Sequence, residues 1–488
     1  MPLNQACPTI APVHFRSWAL DQSLPHSRIE KDALGTCELP DGALYGIHAF
    51  RGSVNFAVSG RLLGDEPDLL SALVQVKKAA ALANGELGAL GRREMQALVG
   101  ACDEILAGKH IRNFIVDLFE GSGGTSLNMN VNEVLANRAL ELMGQKPGSY
   151  DLVHPNDHVN LGQSTNDVMP TALKLAAYAA SGPTLDSLTT LADSLDNKRR
   201  QFSDVLRLGR TCLQDAQPMM LGQAFGGYAA AVRRSHAHLS ELRKQLLEVP
   251  LGGTAIGTGL GARPGYRQCV LKHLSLLVGA EVKAPQDPFD AMQNLDEAAR
   301  LSAELRTAAN ILWKIANDLI LLSSGPDGGI GEIVLPALQA GSSIMPGKIN
   351  PVLPMMVCQV AFVIAGNDAA IAQATQQGQL EINHFEPMVG VKLQESLRLL
   401  EATANLFALR CIDGIEANVE RSLAHLLASS APATALVPRL GYASVSDLVR
   451  RASAAGRPFL ELAEAEGHID RQQALDLLRN CSEGRMDV

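Results

Sequence analysis

The chain has 488 residues, 47% of them apolar and 19% charged, which supplies large buried cores and excludes a disordered chain. Its net charge of −9 is spread along the sequence, and no Lys/Arg stripe is present to release counterions from a phosphate backbone, so nucleic acid is not an expected partner. Aromatic residues make up only 4%, so the cores must be aliphatic and set at helical spacing, which predicts a mostly α-helical fold.

The first 28 or so residues contain Pro2, Pro8, Pro12 and Pro25 but no basic start followed by an apolar segment, so they read as an N-terminal extension and secretion is not expected. A mixed N-terminal domain follows over 29–146, a long-helix centre over 147–399 and a small helical C-terminal domain over 400–488. Eight cysteines occur singly, at 7, 37, 102, 212, 269, 358, 411 and 481, with no Cys-x-x-Cys pair, and they read as reduced thiols of a cytoplasmic protein. No stretch approaches the roughly 20 uncharged apolar residues of a membrane span, so no membrane is expected.

The first cluster of functional side chains is Gly121-Ser122-Gly123-Gly124-Thr125-Ser126 with Asn128 and Asn130. A phosphate cradle is one reading, but the Gly-Lys-Ser/Thr ending of a nucleotide loop is missing. The second cluster runs from His154 to Asp167, where Ser164, Thr165 and Asn166 place three neutral donors just before a helix predicted to begin near Pro170. Helix capping is the plain alternative for these residues. His154, Asp157 and His158 have a spacing that suggests a metal, but Pro155 breaks the helix that would align them, so no metal is assigned.

Long helices are predicted over about 171–200, 222–248, 294–324 and 354–375; in the third, Leu301, Leu305, Ala308, Leu312, Ile315 and Leu319 recur at steps of three and four up to Gly325-Pro326. Such lengths exceed the usual 11–12 or so residues, favour a bundle and suggest a homo-oligomer. Gly/Pro/Asn/Ser-rich loops at 121–128, 154–167, 250–265 and 325–351 separate the helices and hold nearly every candidate for chemistry.

The most informative loop is Gly341-Ser342-Ser343-Ile344-Met345-Pro346-Gly347-Lys348-Ile349-Asn350-Pro351. It can fold over an anion, with Lys348 and Asn350 on a carboxylate while a serine oxygen approaches a C–H bond; hydroxyl plus lysine alone also fits acyl transfer.

In this order, Gly124 to Asn130, His154 to Asp167, Thr211-Cys212-Leu213-Gln214-Asp215-Ala216 and Gly341 to Pro351 resemble the signature regions of the aspartase/fumarase superfamily, over about 28–478. The resemblance implies a three-domain fold with a long central helical bundle, a homotetramer with composite active sites, a small dicarboxylate or amino-acid substrate and no cofactor. It implies Ser342 as the base at Cβ, Thr125, Ser164, Thr165 and Asn166 as holders of the β-carboxylate, and Thr211, Lys348 and Asn350 near the α-carboxylate and leaving group.

Tyr45-Gly46-Ile47-His48, Ser164-Thr165-Asn166 and Asn383-His384-Phe385-Glu386-Pro387 resemble the ammonia-lyase branch, whereas Gly252-Gly253-Thr254 leans toward the hydratases. Loss of ammonia from aspartate or a close relative, leaving fumarate, is therefore the expectation. Two positions depart from the pattern: Cys212 stands where His or Gln is usual, and Met355 where Glu is usual. They are specificity candidates; drift, with Met355 filling space and Cys212 acting as a small hydrophobe, is the alternative. An N-substituted or modified aspartate, fumarate hydration and a non-catalytic homologue remain rival functions.

Overall fold

The computed structural model of the protein describes residues 26–482. Helices dominate. In chain order the chain forms β1 (Ser27–Asp32), β2 (Gly35–Pro40), α1 (Ile47–Asn55), α2 (Pro67–Glu86), α3 (Arg92–Leu106), α4 (Thr125–Leu142), α5 (Thr165–Gln201), β3 (Leu206–Thr211), β4 (Gln214–Met220), α6 (Leu221–Gln245), α7 (Tyr266–Val278), α8 (Pro288–Gln293), α9 (Asp296–Leu322), β5 (Ile333–Val334), α10 (Val352–Thr375), α11 (Glu386–Arg410) and β6 (Glu416–Ala417). Five shorter helices follow: α12 (Val419–Ala428), α13 (Ala433–Leu440), α14 (Tyr442–Ala454), α15 (Phe459–Ala465) and α16 (Arg471–Ser482). The strands pair only as antiparallel ribbons, β1 with β2, β3 with β4 and β5 with β6.

Two compact units emerge, each discontinuous in sequence: one takes the described residues up to Pro183 with Leu239–Ala303 and Gly366–Arg398, the other Thr184–His238, Glu304–Ala365 and the chain from Leu399 on. Helices α5, α6, α9, α10 and α11 each contribute one end to each unit.

The core of the first unit is built on α2, whose Leu73, Val74, Val76, Ala79 and Ala80 are fully buried with Leu98 and Ala101 of α3, Val131, Val134 and Leu135 of α4, and Val270 and Leu274 of α7. Burying each Leu or Val contributes about 1.5–3 kcal/mol, so the aliphatic stripe that composition demands is what fixes these helices together. Lys77 sits in the middle of that stripe, 1% exposed.

The N-terminus of α1 is held by charge. Glu133 on α4 accepts from the Gly46, His48 and Ala49 amides at 2.9, 2.9 and 3.0 Å, and Glu30 from the Ile47 amide at 2.9 Å. A Cβ on Gly46 would lie 2.7 Å from the Glu133 carboxyl, so the Tyr-Gly-x-His motif owes its glycine to this approach. Burial pushes the Glu133 carboxyl up to about 7.

In the second unit, Leu206, Leu208 and Met220 of the β3–β4 ribbon pack with Leu426 and Leu478, and Leu436, Val445, Leu448 and Phe459 form a separate C-terminal cluster. Glu332, fully buried, meets Arg207 at 3.0 Å, Arg210 at 2.7 Å and His425 at 2.9 Å.

Three expectations need correction. Helix α5 starts at Thr165, because Ser164 and Asp167 cap its first turn and no proline is needed at N1, and it continues through Pro170 and Pro183. The segments at 121–128 and 154–167 are likewise only partly loop, since α4 begins at Thr125 and Pro155–Val159 form one π-helical turn. Helix α10 is also more apolar than expected: it is long and apolar enough to cross a membrane by length and composition, at mean hydropathy 1.6, and only 28% of that stretch is buried in the chain.

Candidate active site

The serine loop is closed at its base. The Gly341 amide donates to the Lys348 carbonyl at 2.8 Å, and the Asn350 side-chain amide donates to the Gly341 carbonyl at 2.6 Å. A Cβ on Gly341 would lie 2.5 Å from the Lys348 carbonyl oxygen, so only glycine fits this closure. Within the loop the Ser342 Oγ accepts from the amides of Ile344 and Met345, at 3.2 and 3.0 Å. Ser342 is half-buried, while Lys348 and its neighbours from 343 to 349 are exposed. Ser342, Lys348 and Asn350 thus share one small loop, and Asn350 serves in closing it.

The second constellation is buried and wired. Ser164 caps α5: its Oγ accepts from the Asn166 amide at 3.2 Å, while Asp167 Oδ1 accepts from the Ser164 amide at 2.9 Å, a reciprocal cap. Capping and anion binding are compatible here, because accepting from an amide leaves the Ser164 hydroxyl hydrogen free to donate. Asp167 also accepts from the Gly252 and Thr254 amides, at 3.0 and 2.9 Å, and Asn166 donates to the Ala255 carbonyl at 2.8 Å, which pins the Gly252-Gly253-Thr254 turn to this corner. Burial raises the Asp167 carboxyl to about 6, against the pull of its amide bonds and of Lys77.

Asn128 of α4 donates to Thr165 Oγ1 at 3.1 Å and to Asn160 Oδ1 at 3.2 Å, so the first turns of α4 and α5 are tied together, and Thr125 is the residue that starts α4. Asn160 Oδ1 also accepts from Asn132 at 3.2 Å and from Lys77 Nζ at 2.9 Å, and the ammonium gives a further bond to Gln163 Oε1 at 2.9 Å. Burial lowers Lys77 to about 7. Its part in this hub was missed from sequence; the available signal was one lysine on an otherwise apolar helix stripe.

The glycine-rich segment before α4 is not a cradle for an external anion. Glu120 already accepts from the Ser122 amide at 3.0 Å and from the Gly124 amide, so an internal carboxylate occupies its donors. Gly124, at φ +90°, is required there, since a Cβ would lie 2.5 Å from Met169 Cγ. His154 Nδ1 accepts from the Asn156 and Asp157 amides at 3.1 and 3.3 Å, and the His154 amide donates to His158 Nδ1 at 2.9 Å, so these imidazole nitrogens cap a turn. Among the described residues one Glu/Cys/His group, Glu86, Cys269 and His273, brings potential ligand atoms within 4.8 Å of one another. Lys272 and His273 already engage the Glu86 carboxylate, at 3.1 and 2.9 Å.

Thr211 ends β3, and Cys212 and Leu213 form the two-residue turn to β4 at φ +53° and +60°, the left-handed pair of a tight hairpin usually given to Asn and Gly. Cys212 is exposed at this tip and Met355 is 48% exposed on α10, so neither fills a core of the chain. A cavity of about 590 Å³ in the second unit is lined by Arg207, Arg210, Leu213, Tyr228, Lys314 and Asp318 among others, and by none of the candidate catalytic or substrate-binding residues.

Similarity to known proteins is extensive. A family of lyases matches over residues 35–366. An aspartate ammonia-lyase of Pseudomonas aeruginosa is 45% identical over 93% of this chain and 96% of its own length, and one of Bacillus subtilis is 41% identical over 93% and 95%. Among solved structures, a fumarate lyase:delta crystallin from Brucella melitensis bound to cobalt superposes at TM-score 0.91 with 44% identity, covering 94% of this chain and all of that one. A class II fumarase from Schistosoma mansoni superposes at 0.88 with 32% identity, covering 94% and 99%. The chain belongs to this lyase family, the aspartase/fumarase superfamily.

Proposed function

We propose that the protein removes ammonia from L-aspartate to give fumarate, with Ser342 as the base. The observation that carries the reading is the Ser342 Oγ receiving two backbone N–H bonds, because donors aimed at that oxygen stabilise its anion and make a serine a usable base. The ammonia-lyases that this chain matches across nearly their whole length support the same reaction.

In this scheme the Ser342 oxyanion takes a proton from Cβ, and the electron pair moves into the β-carboxylate to form an aci-carboxylate. Thr125, Ser164, Thr165 and Asn166 supply hydroxyl and amide donors for those two oxygens, which carry more charge in the intermediate than in the ground state. Collapse of the aci-carboxylate breaks the Cα–N bond and expels the ammonium group as neutral ammonia, so no acid is needed at the leaving group. Thr211, Lys348 and Asn350 hold the α-carboxylate. The carboxylate itself acidifies Cβ–H, so the scheme calls for no cofactor.

We assign a homotetramer with composite sites as the working assembly. The apolar helix α10, with Met355, Phe362 and Val363 at 48, 64 and 46% exposure, supplies a face for a second copy of the chain, and cytoplasmic residence accords with Cys102, Cys212, Cys269, Cys358 and Cys411 being free thiols. A second reading keeps the elimination but moves it to an N-substituted or modified aspartate, favoured by Cys212 and Met355.

The test follows fumarate absorbance and free ammonia with L-aspartate, L-malate and N-substituted aspartates in parallel. Equal fumarate and ammonia from aspartate is the expected result. Fumarate from a substituted aspartate alone moves the assignment to the second reading, and fumarate from malate alone overturns both.

A further inference from the structure

We infer that Lys77 is a positioning residue for the elimination, a buried positive charge behind the β-carboxylate corner that favours the aci-carboxylate over the ground-state carboxylate. The inference rests on the proposed role of Thr165 and its neighbours.

A lysine in the centre of an aliphatic helix stripe is costly to charge, and Lys77 is 1% exposed. Among the described residues no carboxylate forms an ion pair with it; its bonds go to two neutral oxygens, Asn160 Oδ1 and Gln163 Oε1, both at 2.9 Å. Asp167 acts on it through space but has its own oxygens committed to the amides of Ser164, Gly252 and Thr254. Cys102 of α3 is the other titratable neighbour, and burial lifts its thiol to about 12, so it stays neutral. The residues around the ammonium therefore leave it without an ion-pair partner, and burial lowers it to about 7.

The geometry gives this charge a direction. Lys77 fixes Asn160 Oδ1, the shared acceptor of Asn128 and Asn132, and Asn128 in turn donates to Thr165 Oγ1. With its oxygen already accepting, Thr165 has only its own hydrogen left to give, and that hydrogen is available for an anion. Charge added to the bound carboxylate then interacts with the nearby ammonium in a low-dielectric interior, whereas the ground state gains less. A purely structural lysine would support both states equally.

The experiment compares full-length wild type with Lys77→Gln, which keeps amide hydrogen bonds and removes the charge, and Lys77→Met. Kinetics on the substrate are combined with binding of succinate, a ground-state dicarboxylate, and of 3-nitropropionate, whose nitronate form carries negative charge on both terminal oxygens. Removing the charge is expected to lower kcat by about 10²-fold with KM changed less than about threefold, and to weaken the nitronate far more than succinate. Equal losses for both ligands, or a kcat within about threefold of wild type, overturn the inference.

Fumarate formation by wild type separates the two layers, since its failure removes the functional reading, whereas an active wild type with an unselective Lys77→Gln removes only the role of Lys77.

Discussion

The corner at Ser164–Asp167 and the loop at Gly341–Pro351 present the same kinds of group, hydroxyls and amides with one lysine each, yet the two environments are opposite. At the corner, Asn128, Asp167 and Lys77 are at most 1% exposed; Asn128 and Lys77 share Asn160 as an acceptor, and Asp167 is bonded to backbone amides. In the loop, Ile344 is 84% exposed and Ile349 49%, and the bonds that hold it run between its own two ends. The corner is preorganised by the fold, so its donors are already paired on one side and aimed on the other. The loop is organised only by itself, which suits a segment that must admit a substrate and then close. Catalytic and stability effects should therefore separate between the two regions.

The strongest separation is expected at Ser342. Replacing it with alanine removes the base and should lower kcat by about 10³-fold, within the usual span for general base catalysis. Unfolding free energy should change by less than about 0.5 kcal/mol, because an exposed loop carries little of the packing. Paired kinetics and denaturant melts test this; a large loss of stability would break the contrast.

Asn160→Ala should do the reverse. It leaves Lys77, Asn128 and Asn132 with a donor each that has lost its acceptor, and each buried orphan costs about 1–3 kcal/mol. The midpoint of urea unfolding should fall clearly, with KM rising as the Thr165 hydroxyl loses its alignment. An unchanged midpoint would mean that the corner is no better organised than the loop.

How far the sequence revealed these regions follows from what each depends on. The serine loop was readable because its chemistry lies in consecutive residues, and the long helices because their apolar periodicity runs for many turns. Sequence alone puts the start of α5 near Pro170, five residues late, because a proline is a common helix-start signal, whereas the reciprocal cap between Ser164 and Asp167 sets the end. The hub at Asn160 was invisible because it joins α2, α4 and the turn before α5, and no local pattern reports pairings between residues 83 and 32 positions apart. The carboxylate of Glu120 filling the glycine loop is the same kind of fact: the segment reads as an anion site, and a neighbour already satisfies it.

A smaller effect is expected at Glu386, the one member of the His-Phe-Glu-Pro motif buried without a bond to its Oε1. Burial pushes this carboxyl well above its ordinary value, with Lys174 pulling weakly the other way. The folded state therefore holds its proton more tightly than the unfolded chain. Its contribution is fully present below the ordinary carboxylate range and is lost as pH rises through the folded value, with a slope of at most about 1.4 kcal/mol per pH unit. In Glu386→Gln that part of the decline should vanish from pH-dependent melts, and unchanged slopes would show that the carboxyl is charged in the fold.

Cys212 and Met355 should show the smallest stability effects and the sharpest test of substrate choice. Both side chains are exposed in the chain, so Cys212→Ala and Met355→Ala should alter unfolding by no more than about 0.5 kcal/mol. Cys212 carries some strain at φ +53°, and Cys212→Asn, a residue that accepts this conformation, should stabilise the hairpin slightly. If the pair tunes the space around the amine, restoring the usual partners together, as Cys212→His with Met355→Glu, should shift the ratio of kcat/KM between aspartate and N-substituted aspartates, while either change alone leaves half a polar pair and shifts it less. A ratio that stays constant through all three variants would mark both positions as drift and leave the choice of amine to the loop and the corner.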